Sequence, residues 1–162
     1  MDRQDIWKET HDQLQQSMKK EIETMREILA NMHQEELSLI SKDKTAWAHV
    51  MEERSKLIAQ LSDLRDSRLQ ATQKLQSLAF PQGIPDEIPL DQLLPAEDAA
   101  SCETLFLRDQ MMALVERMNL QNNRNELLGN ISERRESSQP ALQPVPKKKK
   151  NKISIATLPP KE

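Results

Sequence analysis

Three histidines, one cysteine, two glycines and a run of four lysines are the residues from which this 162-residue chain would have to build any chemistry. His11, His33 and His49 stand far apart, none with a second histidine four residues on, so a helical zinc pair is not spelled out. A di-iron bundle needs a glutamate three residues before histidine, and Ala30 and Ala46 hold those places before His33 and His49. All three histidines are therefore read as solvated helix-surface groups. Cys102 has no nearby histidine or basic residue to activate it and is read as an inert thiol that cannot form an internal disulfide. Gly83 and Gly129 lie 46 residues apart, which excludes a glycine-rich phosphate loop. Lys147 to Lys150 make a local positive patch, but no aromatic residue sits among them for base stacking. The pattern predicts no catalytic residues, no metal site and no cofactor. The chain is read as a binding protein and not an enzyme.

Two other features carry binding chemistry. Arg54 and Arg68 fall on the apolar row of a long amphipathic stretch, where a charge must be paired or must reach water along its own stem. Asn122 and Asn125 stand three apart on one helix face between Met118 and Leu128, where amides hold a partner helix or fix register.

The elements that position these residues follow from composition and spacing. With 36% hydrophobic and 30% charged residues, two Phe, two Trp and no Tyr, the chain lacks the aromatics and glycines of a compact β-rich or α/β enzyme. The predicted fold is all-α, an antiparallel bundle or hairpin of long helices followed by a disordered basic C-terminal tail. No apolar run approaches the length needed to cross a bilayer and the polar, acidic N-terminus is unlike a signal peptide, so a cytoplasmic protein without membrane insertion is expected. Charge is uneven: 12 basic and 14 acidic groups over 1–79, none and 6 over 80–104, 5 and 5 over 105–136, then 6 and 1 over 137–162. Balanced charge along the helical body argues against nucleic acid as a partner.

Between Asp2 and Ala79 there is neither Gly nor Pro. Trp47, Val50, Arg54, Leu57, Leu61, Leu64, Arg68, Ala71, Leu75 and Leu78 alternate steps of three and four, the seam of a lengthwise-packed helix. Met18, Met25, Met32 and Leu39 form an earlier row, flanked by Leu14, Ile22, Ile28 and Leu29. The two rows are out of phase by one residue beside Ser41, Lys42, Asp43 and Lys44, which predicts a break near 41–44. Five prolines or glycines over 80–95 make a loop, within which Leu90–Leu94 is expected to form one short turn with its leucines on the bundle. A second long helix is predicted over 96–135, so that the helical domain spans 1–136 and the Lys/Pro-rich tail 137–162. The regular seam at 47–78 is expected to be consumed by internal packing. The softer, methionine-rich second helix supplies the partner-binding candidates: Met111, Leu114, Met118, Leu128 and Ile131, with Asn122 and Asn125 as polar anchors. Replacing both asparagines is then expected to spare stability, unless they hold the bundle in register.

Together these residues resemble the FlgN-type export chaperones of flagellar and related type III secretion systems. One family signature reads here as Glu35 or Glu36, Leu39, Asp43, Trp47, Val50, Arg54, Leu57-Ile58, Leu61, Leu64 and Arg68. After the proline-interrupted loop, Leu90-Asp91-Gln92-Leu93-Leu94-Pro95 is similar to the family's short leucine-rich turn, and Asn122, Asn125, Leu127 and Leu128 match its second signature. The likeness covers roughly residues 14–135. It implies a small cytosolic helical protein that holds the C-terminal amphipathic helix of a secreted substrate and presents it to an export ATPase or export gate. The alternative use of the same seams is self-association, as a homodimer or a structural coiled coil without a client.

Overall fold

The computed structural model describes residues 2–83 and 88–138, and every regular element among them is helical. Helix α1 spans Arg3–Ser41, α2 Lys44–Ala79, the single turn α3 Leu90–Leu93, and α4 Ala99–Ser138. The described residues thus form an all-α bundle of three long helices. Residues 139–162, which hold most of the expected tail, lie outside the described residues.

The polar stretch at Ser41–Lys44 is where α1 gives way to α2. Lys42 takes a left-handed conformation (φ 56°, ψ 32°), the amide of Asp43 reaches back to the Ser38 carbonyl at 3.0 Å, and the helix closes on its own last turn. Asp43 then caps α2 by accepting from the Ala46 amide at 2.9 Å. This turn folds α2 back antiparallel along α1, and the Arg3 side chain reaches the Leu78 carbonyl at the far end.

From the end of α2 the chain crosses to α4 beside the start of α1. Leu93 and Leu94 are buried there, Leu93 within a core of Leu14, Met18, Ile22 and Met25 of α1, Ala71 and Leu75 of α2, and Leu107 and Leu114 of α4. Helix α4 then runs parallel to α1: His11 meets Thr104 near one end, and Met32 and Glu35 meet Asn125 near the other.

The order of packing corrects the expectation that the 47–78 seam is the buried one. Helix α1 packs along its length against both α2 and α4, whereas α2 and α4 scarcely meet. Thirteen residues of α1 are buried against three of α2, Arg54, Ala71 and Leu75. Leu61 and Leu64 are only half-buried and Trp47 is 41% exposed. The physical reason is the number of neighbours. A helix flanked on two sides buries two stripes, and one flanked on a single side leaves the edge of its seam in water.

Candidate partner-binding site

Because α1 is covered on two faces, its buried surface includes polar residues: Thr10 and Ser38 bond back to carbonyls of α1 itself, and Asn31 and Glu21 are tied to a neighbouring helix. Arg54 of α2 donates through Nε to Asn31 at 2.8 Å and through Nη1 to Glu35 at 2.7 Å, while Asn31 donates to the Val50 carbonyl at 2.9 Å. From the other side Asn125 donates to the same Glu35 oxygen at 2.7 Å and to the Met32 carbonyl at 2.8 Å. Gln121 bridges Asn125 at 2.9 Å and Glu36 at 2.6 Å, and Arg124 pairs with Glu36 at 2.6 Å. This network pins α1 to both flanking helices near the α1–α2 turn. Lower down, Arg68 donates to Glu21 at 2.6 Å. Burial raises the Glu21 carboxyl above its usual range, opposed by the hydrogen bond and charge of Arg68 and by Arg65. Both seam arginines are therefore paired from α2 onto α1.

His11 is not a surface histidine. It is 4% exposed, with Nε2 2.7 Å from the Thr104 hydroxyl. That hydroxyl also accepts from Gln15 at 2.9 Å and lies 3.0 Å from the Ala100 carbonyl, and the direction of its bond to His11 follows the imidazole tautomer. Burial lowers the His11 pKa, against the opposing pull of Asp98, Asp12 and Glu103. His33, His49 and Cys102 are exposed.

Since α2 and α4 flank α1 and scarcely touch each other, two open clefts lie between them with α1 as floor. The first, about 460 Å³, has Leu14 and Met18 as floor, Thr72 and Arg68 on the α2 wall, and Met111, Met112 and Val115 on the α4 wall. Leu90 of α3 also lines it. Arg108 and Glu116 of α4 line it as well. The second, about 740 Å³, lies at the α1–α2 turn between Trp47 and the last turns of α4.

The seven residues expected to form one binding surface are distributed over several. Met111 lines the first cleft. Leu114 is buried against α1, and Met118 packs half-buried on the same core. Asn125 is 3% exposed and committed to the network above, so it is not a free anchor. Asn122 lines the second cleft and bonds Glu126 on its own helix at 2.9 Å. Leu128 is half-buried and Ile131 is 48% exposed. The asparagines were expected to act as a pair, but three residues turn a helix by about 300°, which is enough to send one amide inward and leave the other at the edge.

The groove residues not anticipated are Leu14, Met18, Thr72, Met112 and Val115. Met112 and Val115 were visible as apolar positions, but their place on the α2-facing side of α4 depends on where α2 lies. A separate apolar row is exposed on α4: Phe106 (62%), Leu120 (70%) and Leu127 (64%), at multiples of seven residues.

What this arrangement offers chemically is shape, apolar contact and guanidinium groups at the rim. Among the described residues no helix is long and apolar enough to cross a membrane, and no group of three or more His, Cys, Asp or Glu is placed to hold a metal ion. Compared with known proteins, the chain matches no family model, no curated protein and no solved structure.

Proposed function

We propose that this chain is a helix-holding export chaperone of the FlgN type, which cradles the C-terminal amphipathic helix of a secreted substrate between α2 and α4 and delivers it to an export ATPase or export gate from the cytoplasm. The observation that supports this reading is the cleft between α2 and α4: both helices pack along α1 but scarcely touch each other, and the exposed Met112 and Val115 with the half-buried Met111 stand on its α4 wall. Helices pack about 8–10 Å apart, so a single amphipathic helix laid there is read as touching both walls. Met111 and Met112 line it with flexible, polarizable side chains that suit apolar faces of different shape.

Thermal melts with helical peptides from the C-termini of candidate secreted proteins test the proposal. A client that binds only the folded chain stabilises it by about 2.7 kcal/mol at a hundredfold excess over Kd. Met112 and Val115 are exposed on the groove wall, so Met112→Asp with Val115→Asp abolishes the peptide-induced shift while leaving the unliganded melt in place. No shift with any peptide refutes the chaperone reading.

The exposed row Phe106, Leu120 and Leu127 favours a second reading, in which α4 pairs with another copy of the chain. Under that reading the melting midpoint rises with protein concentration alone and sedimentation shows a dimer that Leu120→Glu disperses.

A further inference from the structure

The larger cleft, at the α1–α2 turn, is not absorbed by the groove described above. Five carboxylates line it, from Glu35, Asp43, Glu126, Glu133 and Glu136, against the ammonium groups of Lys42 and Lys44. Glu35 is committed to Arg54 and Asn125, and Lys44 approaches Glu136 at 3.7 Å. On the α2 side Trp47 is 41% exposed. On the α4 side Gly129 removes a side chain from the wall, and a Cβ built there would meet nothing within 4 Å. The cleft is thus acidic, walled by an indole on one side and open on the other.

We propose that residues 147–152 of the same chain, Lys147 to Lys150 with Asn151 and Lys152, dock in this cleft, setting their ammonium groups against its carboxylates and their methylene stems against Trp47. Three observations select this occupant. Its charge is complementary, since 137–162 carry 6 basic groups and 1 acidic one, five of the basic groups within six residues. Its point of departure is right, because α4 ends at Ser138, two residues past Glu136 on the cleft wall. Its reach suffices: nine residues from Ser138 to Lys147 span up to about 30 Å when extended, and the cleft runs about 21 Å along α4 from Asn122 to Glu136 at 1.5 Å per residue. A short tether holds the lysines at an effective concentration of roughly millimolar, at which weak, salt-screened pairs are occupied. Lysine stems also cover apolar surface, and an ammonium over an indole face gains a cation–π contact.

The docking concerns the chain alone and stands whether or not the smaller cleft holds a client.

Two measurements on the full chain test this. In a Trp7→Phe background Trp47 is the only indole, and its acrylamide quenching reports the cover. Changing Lys147, Lys148, Lys149, Lys150 and Lys152 together to Gln raises the quenching constant to the value that the unchanged chain reaches at high salt. Equal quenching with and without the lysines overturns the proposal. In the native chain, which covers the case that Trp7→Phe fails to fold, zero-length carbodiimide coupling joins Lys147–Lys150 to Asp43 and Glu126 in a salt-sensitive reaction. Coupling to Asp63 and Asp66 on α2 as often as to the cleft overturns it, as do products joining isotopically light and heavy chains in a mixture in place of products within one chain.

Discussion

Removing the Asn125 side chain tests whether the polar network near the turn holds the bundle together or merely decorates it. In Asn125→Ala the Glu35 carboxylate loses one donor, the Met32 carbonyl loses another, and Gln121 loses the acceptor that holds it inward. A hydrogen bond to a charged group is worth about 1.5–3 kcal/mol, a neutral one about 1 kcal/mol, and a buried group left unpaired costs about 1–3 kcal/mol. Glu35 keeps Arg54 and Gln121 keeps Glu36, so the loss is partial. The expected destabilisation is about 2–4 kcal/mol, a large share of the roughly 5–15 kcal/mol that a domain has in total. Asn122→Ala removes one bond to Glu126 on the same exposed helix edge and is expected to stay within about 0.5 kcal/mol. Urea unfolding followed by circular dichroism reads both, with the midpoint moving and the slope unchanged if only stability is altered. The double asparagine variant should therefore melt low without any client, which replaces the expectation that the pair serves only a partner. If Asn125→Ala unfolds at the same urea concentration as Asn122→Ala, the network carries no net stability and the reasoning fails.

The same packing sets three further outcomes. Gly129→Ala meets open space inside a helix and should stabilise by about 1 kcal/mol, visible as a higher melting temperature. Leu75, 0% exposed in the core, should cost about 2–5 kcal/mol when truncated to Ala, and half-buried Leu61 clearly less, measured by the same urea titration. Buried His11 and Glu21 give opposite pH slopes. His11 has a pKa lowered from 6.5 by burial, so its contribution is present above 6.5 and is lost as pH falls toward the folded value. Glu21 is raised from 4.5, so its contribution is present below 4.5 and is lost as pH rises through the folded value. His11→Gln should flatten the acid side of the stability profile just below 6.5, and Glu21→Gln the segment above 4.5, both read as urea midpoints against pH.

Local order was legible in the residues because it depends on neighbours along the chain. The absence of Gly and Pro before Ala79, the phase slip beside Ser41–Lys44 and the prolines after Phe80 report backbone preferences that no packing partner reverses, and α1, the turn and α2 stand where those signals put them. Leu93 and Leu94 fall onto the core for the same reason, since a short turn between prolines has only its leucines to bury. Periodicity also marked which face of each helix is apolar. It did not say how many neighbours that face has. The cleanest seam, on α2, is covered by one helix, and the less regular rows on α1 by two, so polar Thr10, His11, Glu21, Thr24 and Asn31 lie deeper than Leu61 or Leu64. The same ambiguity divided the candidate site: Met111 stands on the groove, but Leu114 and Asn125 turn inward and Leu14 and Met18 form the floor. Burial of an amide, an imidazole or a carboxylate is decided by whether a partner across the interface can satisfy it, and that partner, Thr104 for His11, Arg68 for Glu21 and Glu35 for Asn125, lies 93, 47 and 90 residues away along the chain.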